Sequence, residues 1–270
     1  MKIIKSVKKL RKTISNIKNL GFVPTMGGIH KGHLSLIKKS LTKCNKTLVS
    51  IYVNPKQFNN NKDYSKYPRN LNRDLNILKK QNVDFVFIPS TSEIYKKKRI
   101  KKLIINSKKR ILCGKFRKGH FEGVIDVIDR LLNLINPKYM FLGEKDFQQL
   151  FLIKKHVEKR FKVMVISCKT IRDKNFVALS SRNYLLSKKN LNIAGKIARK
   201  LNLFKNKIKK DYRKKKNINY IKKYFTKNCL IKIDYLELRN EKDLSIIKKN
   251  NRFRLFVAYH INNVRLIDNY

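Results

Sequence analysis

Residues 20–33 read LGFVPTMGGIHKGH. The first six, apolar and partly β-branched, are predicted to form a strand, and a helix is predicted to start near Gly32, running from His33 to Lys43 with Leu34, Ile37 and Leu41 on one face. Between them lie Gly27, Gly28, His30, Gly32 and His33, although the whole chain has only 9 Gly and 5 His. An ordinary chain of this length would carry about 19 glycines, so the concentration needs a local cause. Gly27 and Gly28 would let the backbone approach a ligand with no Cβ in the way. The helix start would offer unpaired N–H groups and the positive end of its dipole, with His30 and His33 alongside. That arrangement suits a polyanion such as nucleotide phosphates. A glycine turn with surface histidines is the other reading of the same residues. A zinc site is not suggested, because two histidines three residues apart lack a third ligand nearby.

The same strand-then-helix rhythm runs on. Strands are predicted at 47–53, 83–89, 138–143 and 162–167, with a weaker one at 101–106. Helices are predicted at 69–81, 123–135 and 146–157. Strands alternating with helices imply βαβ units and a mostly parallel sheet, an α/β fold of Rossmann-like type. All five prolines lie before residue 138, and 169–270 holds one glycine, Gly195. This change marks a second, smaller α+β unit with a boundary near residue 170. It should contain lysine-rich helices and strands at 231–238, 252–261 and 263–268.

At 270 residues the chain can bury a full core. No apolar run reaches the roughly 18 residues of a membrane span, and the basic N-terminus lacks the apolar stretch of a secretory signal. Four widely spaced cysteines without a CxxC pair suggest reduced thiols in a cytoplasmic protein. The formal net charge of +50 admits two readings. One is a nucleic-acid binder. The other is an AT-biased coding composition, since Lys, Asn, Ile, Tyr and Phe are all abundant and the lysines are spread along the chain. Non-specific polyanion binding at low salt is expected either way.

Seven blocks extend the glycine–histidine turn into a resemblance. HKGH resembles the HxGH signature of nucleotidylyltransferases. VPTMGGIHKGHLSLI, VSIYVNPKQF, YPRNLNRDL, GHFEGV, FLGEKDFQQL, ALSSRNYL and RLIDN, in that order from residue 23 to 269, resemble the pantoate–β-alanine ligase (pantothenate synthetase) family. The resemblance implies two steps. ATP and (R)-pantoate would give a bound pantoyl adenylate and pyrophosphate. β-Alanine would then attack it, releasing pantothenate and AMP.

It also implies residue roles. Met26, Gly27, Gly28, Ile29, His30, Lys31, Gly32 and His33 would form the ATP loop, with His33 as proton donor or transition-state stabiliser and His30 on the phosphates. Gly143, Glu144, Lys145 and Asp146 would form a second ATP segment, with Lys145 on the triphosphate. Leu179, Ser180, Ser181 and Arg182 would form a mobile ATP loop, Arg182 reaching the phosphates, and the Ile171 backbone would meet adenine. Gln57 and Gln149, with Asn54 as a weaker candidate, would bind pantoate and β-alanine. Residues 1–169 would be the ATP- and pantoate-binding domain and 170–270 a lid domain. Mg²⁺ would accompany ATP without a protein cage, and the protein would be a homodimer.

Three positions depart from the family pattern: Phe176 where glycine is usual, Cys113 for Glu, and Asp126 for a small hydroxyl residue. His120 could serve the substrate or the structure. Another HxGH nucleotidylyltransferase with a different acceptor, and an RNA-binding protein that has lost catalysis, are the competing readings.

Overall fold

The computed structural model describes residues 1–59, 61–96, 110–229, 231–247 and 252–270. The strand expected at 101–106 lies outside them. The chain divides into two compact units, one of residues 1–144 with 149–169, the other of 145–148 with 170–270.

The first unit is built on six parallel strands: β1 (Lys2–Ile4), β2 (Leu20–Thr25), β3 (Lys46–Ile51), β4 (Phe85–Phe87), β5 (Tyr139–Gly143) and β6 (Met164–Cys168). They lie in the order β1-β4-β3-β2-β5-β6. The registers Val23↔Val49 and Phe22↔Met140 tie β2 to both its neighbours. Helices α1 (Val7–Ile14), α2 (Lys31–Lys43), α3 (Asn61–Ser65), α4 (Leu71–Lys80), α5 (Thr91–Tyr95), α6 (Cys113–Phe116) and α7 (His120–Ile135) connect the strands, and α8 (Phe147–Arg160) leads into β6. Strands buried on both faces read as continuous apolar runs. That is why Phe22, Val23, Leu48, Val49, Val86, Met140 and Phe141 are all fully buried.

The strand order reverses at β2: the chain steps outward to β3 and β4 on one side, then to β5 and β6 on the other. Open α/β sheets bind ligands beyond the C-terminal ends of the strands that flank such a reversal. Those ends are Thr25, which leads into the MGGIHKGH turn, and Gly143.

The second unit carries an antiparallel sheet of β7 (Lys232–Asn240), β8 (Phe253–Ile261) and β9 (Val264–Asn269), with α9 (Lys188–Lys210) and α10 (Ile218–Asn228). Leu201, Phe204, Phe225, Leu236, Leu255 and Val257 form its core. The lysines of α9 stay out of that core because the buried positions, Ala194, Ile197, Ala198, Leu201, Phe204 and Ile208, recur at helical spacing. The α/β expectation is met, with an α+β second unit. β1 and α1 lie outside the elements expected from the sequence.

Candidate active site

The turn after β2 is held by side chains from elsewhere in the first unit. Thr25 Oγ1 donates to Ser50 O at 2.7 Å and accepts from Gly27 N at 3.2 Å. Asp74, on α4 and only 1% exposed, accepts from Gly28 N and Ile29 N, each at 2.8 Å. Its carboxylate thus spans two successive backbone amides. Gly27 has φ +77°, and a Cβ there would lie 2.9 Å from Asp74 Oδ2 and 3.3 Å from Ile51 Cγ2. Both the left-handed backbone and the contact with Asp74 require glycine.

His30 is the N-cap of α2, and its Nδ1 accepts from Gly32 N at 3.1 Å. His33 Nδ1 accepts in return from His30 N at 3.3 Å. This is a capping box made of two imidazoles, in positions usually held by Ser or Thr and Glu. A nitrogen that accepts an N–H carries a lone pair, so each neutral ring holds its proton on Nε2. The ring centroids are 4.0 Å apart. The turn therefore brings two imidazoles into contact, each with an Nε2 that carries the ring proton in the neutral form.

One expectation is corrected here. The backbone N–H groups of Gly27, Gly28, Ile29, His30 and Gly32 are not unpaired. Thr25, Asp74 and the two histidines already accept from them. An anion at this helix start meets imidazole N–H groups and the helix dipole, with little of the backbone nest that the glycines suggested.

Asn54 and Gln57 sit on the turn after β3, which packs on α7. Gly123 makes that packing possible, because a Cβ there would lie 2.3 Å from Lys56 O. Asn54 is 1% exposed. Its Nδ2 donates to Gly123 O at 3.1 Å, and its Oδ1 accepts from Lys56 N at 3.2 Å and Tyr95 Oη at 3.0 Å. The Asn54 amide thus holds the turn through one of its two N–H groups and its oxygen. Gln57 is buried, and its Nε2 faces Met26 Sδ. This brings one expected substrate residue against the expected ATP loop.

Asp126, one of the departures, pairs with Arg130 at 3.0 Å one helical turn away. Arg130 in turn stacks 4.5 Å from the Tyr95 ring centroid. Burial, reinforced by the Asp126 carboxylate, pushes the Tyr95 phenol well above its ordinary pKa, so it stays a donor to Asn54. Asp126 therefore has a cation of its own. Cys113 is buried at the start of α6.

Gly143 ends β5, where a Cβ would meet only Leu36 Cδ1 at 4.0 Å. The first unit's own packing does not demand glycine there, whereas close approach of a ligand would. Gln149 is partly exposed on α8, next to the buried Gln148, and Lys31 is exposed at the first position of α2.

In the second unit Lys145 Nζ lies 3.2 Å from Asp146 Oδ1, and Lys145 O accepts from Asn269 Nδ2 at 2.8 Å. Residues 171–179 form a small hairpin, closed by Leu179 N donating to Ile171 O at 2.9 Å. Ser180 Oγ caps the following turn by accepting from Arg182 N at 3.3 Å, and Ser181 is buried. Arg172 fastens this hairpin to β9. It grips Asp268 with two bonds of 2.7 and 3.0 Å and donates to Asn269 O at 3.0 Å. Burial alone would lower the Arg172 pKa, but the bonds to Asp268 outweigh it and the net shift is upward.

Asn269 thus ties Lys145 and Arg172 to one strand end. Asp268 and Asn269 lie in the RLIDN block, for which the sequence predicts no site residue. Phe176 has φ +71°, so the glycine usual in the family suits a left-handed backbone. Here the strain is partly offset by stacking with Arg172, 4.7 Å from the ring centroid.

Among the described residues no group of three or more His, Cys, Asp or Glu could hold a metal ion. No described helix is long and apolar enough to cross a membrane.

Comparison with known proteins agrees over the full length. The family model for pantoate-beta-alanine ligase matches residues 2–270. The pantothenate synthetase of Pseudothermotoga lettingae is 40% identical, the alignment covering 100% of this chain and 97% of that protein. That of Caldicellulosiruptor saccharolyticus is 41% identical, with 99% and 94% covered. A solved pantothenate synthetase from Thermus thermophilus superposes with a TM-score of 0.91 at 31% identity, covering 100% of this chain and 99% of that one. The pantoate-beta-alanine ligase of Francisella tularensis, solved with beta-gamma ATP and β-alanine, superposes with a TM-score of 0.82 at 36% identity, covering 100% and 97%. Matched end to end in sequence and in fold, the chain belongs to the pantoate–β-alanine ligase family, the pantothenate synthetases.

Proposed function

We propose that this chain condenses (R)-pantoate with β-alanine in two ATP-dependent steps. The pantoate carboxylate attacks the α-phosphorus of ATP, and pyrophosphate leaves. The β-alanine amine then attacks the acyl carbon of pantoyl adenylate, loses a proton and expels AMP. A carboxylate is a poor electrophile, so the first step supplies a leaving group. The protein's part is mainly positioning and charge stabilisation.

The observation that carries this reading is the imidazole capping box. With both Nδ1 atoms committed to backbone N–H groups, His30 and His33 offer paired Nε2–H donors at the positive end of α2. Those donors suit the charge that builds up on phosphate oxygens as pyrophosphate departs. Lys145 and Arg182 add cationic charge for the phosphates, and Ser180 and Ser181 add hydroxyls. Gly143 admits close approach, and the Ile171 backbone serves adenine. Mg²⁺ arrives with ATP, coordinated largely by phosphate oxygens and water. Gln57 and Gln149 serve the substrates, while Asn54 holds the Gln57 turn. A cytoplasmic homodimer completes the reading by family resemblance, and sedimentation equilibrium checks the dimer.

Pyrophosphate release from ATP is expected to require pantoate, and pantothenate to require all three substrates. Release that ignores pantoate but follows another acid or a nucleotide would assign a different acceptor. Gln57→Ala should raise the KM for pantoate about 10-fold, the loss of one or two polar contacts, with the KM for ATP within about 2-fold. An unchanged pantoate KM removes Gln57 from the substrate site.

A further inference from the structure

We propose that Arg117 and His120 form a clamp on the main-chain carbonyl of Gln57, setting the direction of its side chain and hence the affinity for pantoate without touching the substrate. His120 Nδ1 lies 2.8 Å from Gln57 O, and Arg117 Nη2 lies 3.3 Å from the same oxygen. The triangle closes through Arg117 Nη1, 2.9 Å from His120 Nε2.

The roles of the imidazole nitrogens follow from its neighbour. A guanidinium only donates, so His120 Nε2 must accept from Arg117, and the ring proton lies on Nδ1, aimed at Gln57 O. His120 therefore has the tautomer opposite to that of His30 and His33. The Gln57 carbonyl receives two donors, which fixes the peptide plane after Gln57 and so restrains the backbone from which its side chain projects. Asp63 Oδ2, 3.9 Å from Arg117 Nη2, steadies the guanidinium from the other side.

Two further contacts pin the same turn to α7. Asn54 Nδ2 donates to Gly123 O at 3.1 Å, and the bare Cα of Gly123 accommodates Lys56 O. A turn needing only stability would be secured by these. A buried histidine and an arginine converging on one carbonyl of a buried glutamine point instead to control of that side chain, whose amide lies against Met26. Displacing a contact group by about 1 Å is enough to cost catalysis heavily, so the clamp matters more to function than to folding.

The inference rests on Gln57 as a pantoate ligand, and the experiment separates the two claims. Steady-state KM values for pantoate and ATP, with thermal unfolding, are measured for His120→Leu, His120→Asn, Gln57→Ala and the double variant Gln57→Ala/His120→Leu. His120→Leu is expected to raise the pantoate KM about 5-fold, leaving the ATP KM within about 2-fold. His120→Asn, whose amide N–H takes the place of Nδ1–H, is expected to restore most of the loss. The double variant is expected to match Gln57→Ala alone, because a residue acting through Gln57 has nothing left to position.

If Gln57→Ala changes pantoate use while His120→Leu does not, the clamp is overturned and the Gln57 assignment stands. If the two effects simply add, His120 does not act through Gln57 and the proposal also fails. If His120→Leu unfolds, the pantoate KM of His120→Asn decides: near the parent value supports the clamp, and a loss as large as that of Gln57→Ala overturns it.

Discussion

His33→Ala is expected to slow adenylation by about 100-fold or more, the usual loss when one donor to a transition state is removed. Alanine also removes the acceptor for His30 N, a cap whose loss costs about 1 kcal/mol. The two effects separate in His33→Asn. An asparagine side-chain oxygen reaches where Nδ1 sits and continues to accept from His30 N, but nothing replaces the Nε2–H. His33→Asn should therefore melt near the parent temperature and be almost as slow as His33→Ala. Pantoate-dependent pyrophosphate release and a thermal melt on each variant decide the matter. An asparagine variant with near-parent turnover would show that His33 only caps the helix. The complementary change, His33→Gln, places an amide N–H near Nε2 and abandons the cap. It should recover part of the rate while losing stability, the reverse of the asparagine pattern.

The sheet was legible because its strands are buried on both faces. Continuous apolar runs such as 20–25 and 139–143 survive even in a lysine-rich chain, since no lysine can occupy those positions. The β1–α1 segment escaped because α1 buries only Leu10 and Ile14 among its lysines, and β1 has three residues. Its packing depends on distant partners: Val7 N donates to Glu93, 86 residues away.

The histidines were legible as a pair but not as a cap, because the familiar helix-start pattern has hydroxyl and carboxylate side chains in those places. The assumption that the glycines freed backbone N–H groups failed for a related reason. The acceptor that occupies two of those N–H groups, Asp74, lies 46 and 45 residues away from them in sequence. A local signal for Asp74 did exist. It stands three residues after Leu71 and four before Leu78, on the stripe that carries Leu75 and Leu78 toward the interior. A carboxylate in an apolar stripe needs a buried partner, and the turn N–H groups provide it. In the second unit, Asp268 and Asn269 could be matched by resemblance but not understood, because Arg172 is 96 residues from Asp268.

Asp74 carries the second large expected effect. Its two oxygens accept from Gly28 N and Ile29 N, and the residue is almost fully buried. Asp74→Asn keeps the volume but turns one acceptor into a donor, so one turn N–H faces another N–H. Hydrogen bonds to a charged acceptor contribute about 1.5–3 kcal/mol each, and a buried donor left unsatisfied costs about 1–3 kcal/mol. The asparagine variant should lose about 2–4 kcal/mol of unfolding free energy, read from denaturant titration. The turn it releases is also the one that leads to His30, so the damage should reach the site. ATP-dependent pyrophosphate release should fall by at least about 10-fold at saturating pantoate, in protein still folded by circular dichroism. Gly27→Ala provides an independent check, since its Cβ would press on Asp74 Oδ2, the oxygen that accepts from Gly28 N, and strain a left-handed backbone. Both substitutions act on one contact, so combining them should cost less than the sum of the two. Full additivity, or an Asp74→Asn enzyme of parental stability and rate, would mean that α4 does not hold the turn between β2 and α2 in shape. The two imidazoles would then depend on their mutual cap alone.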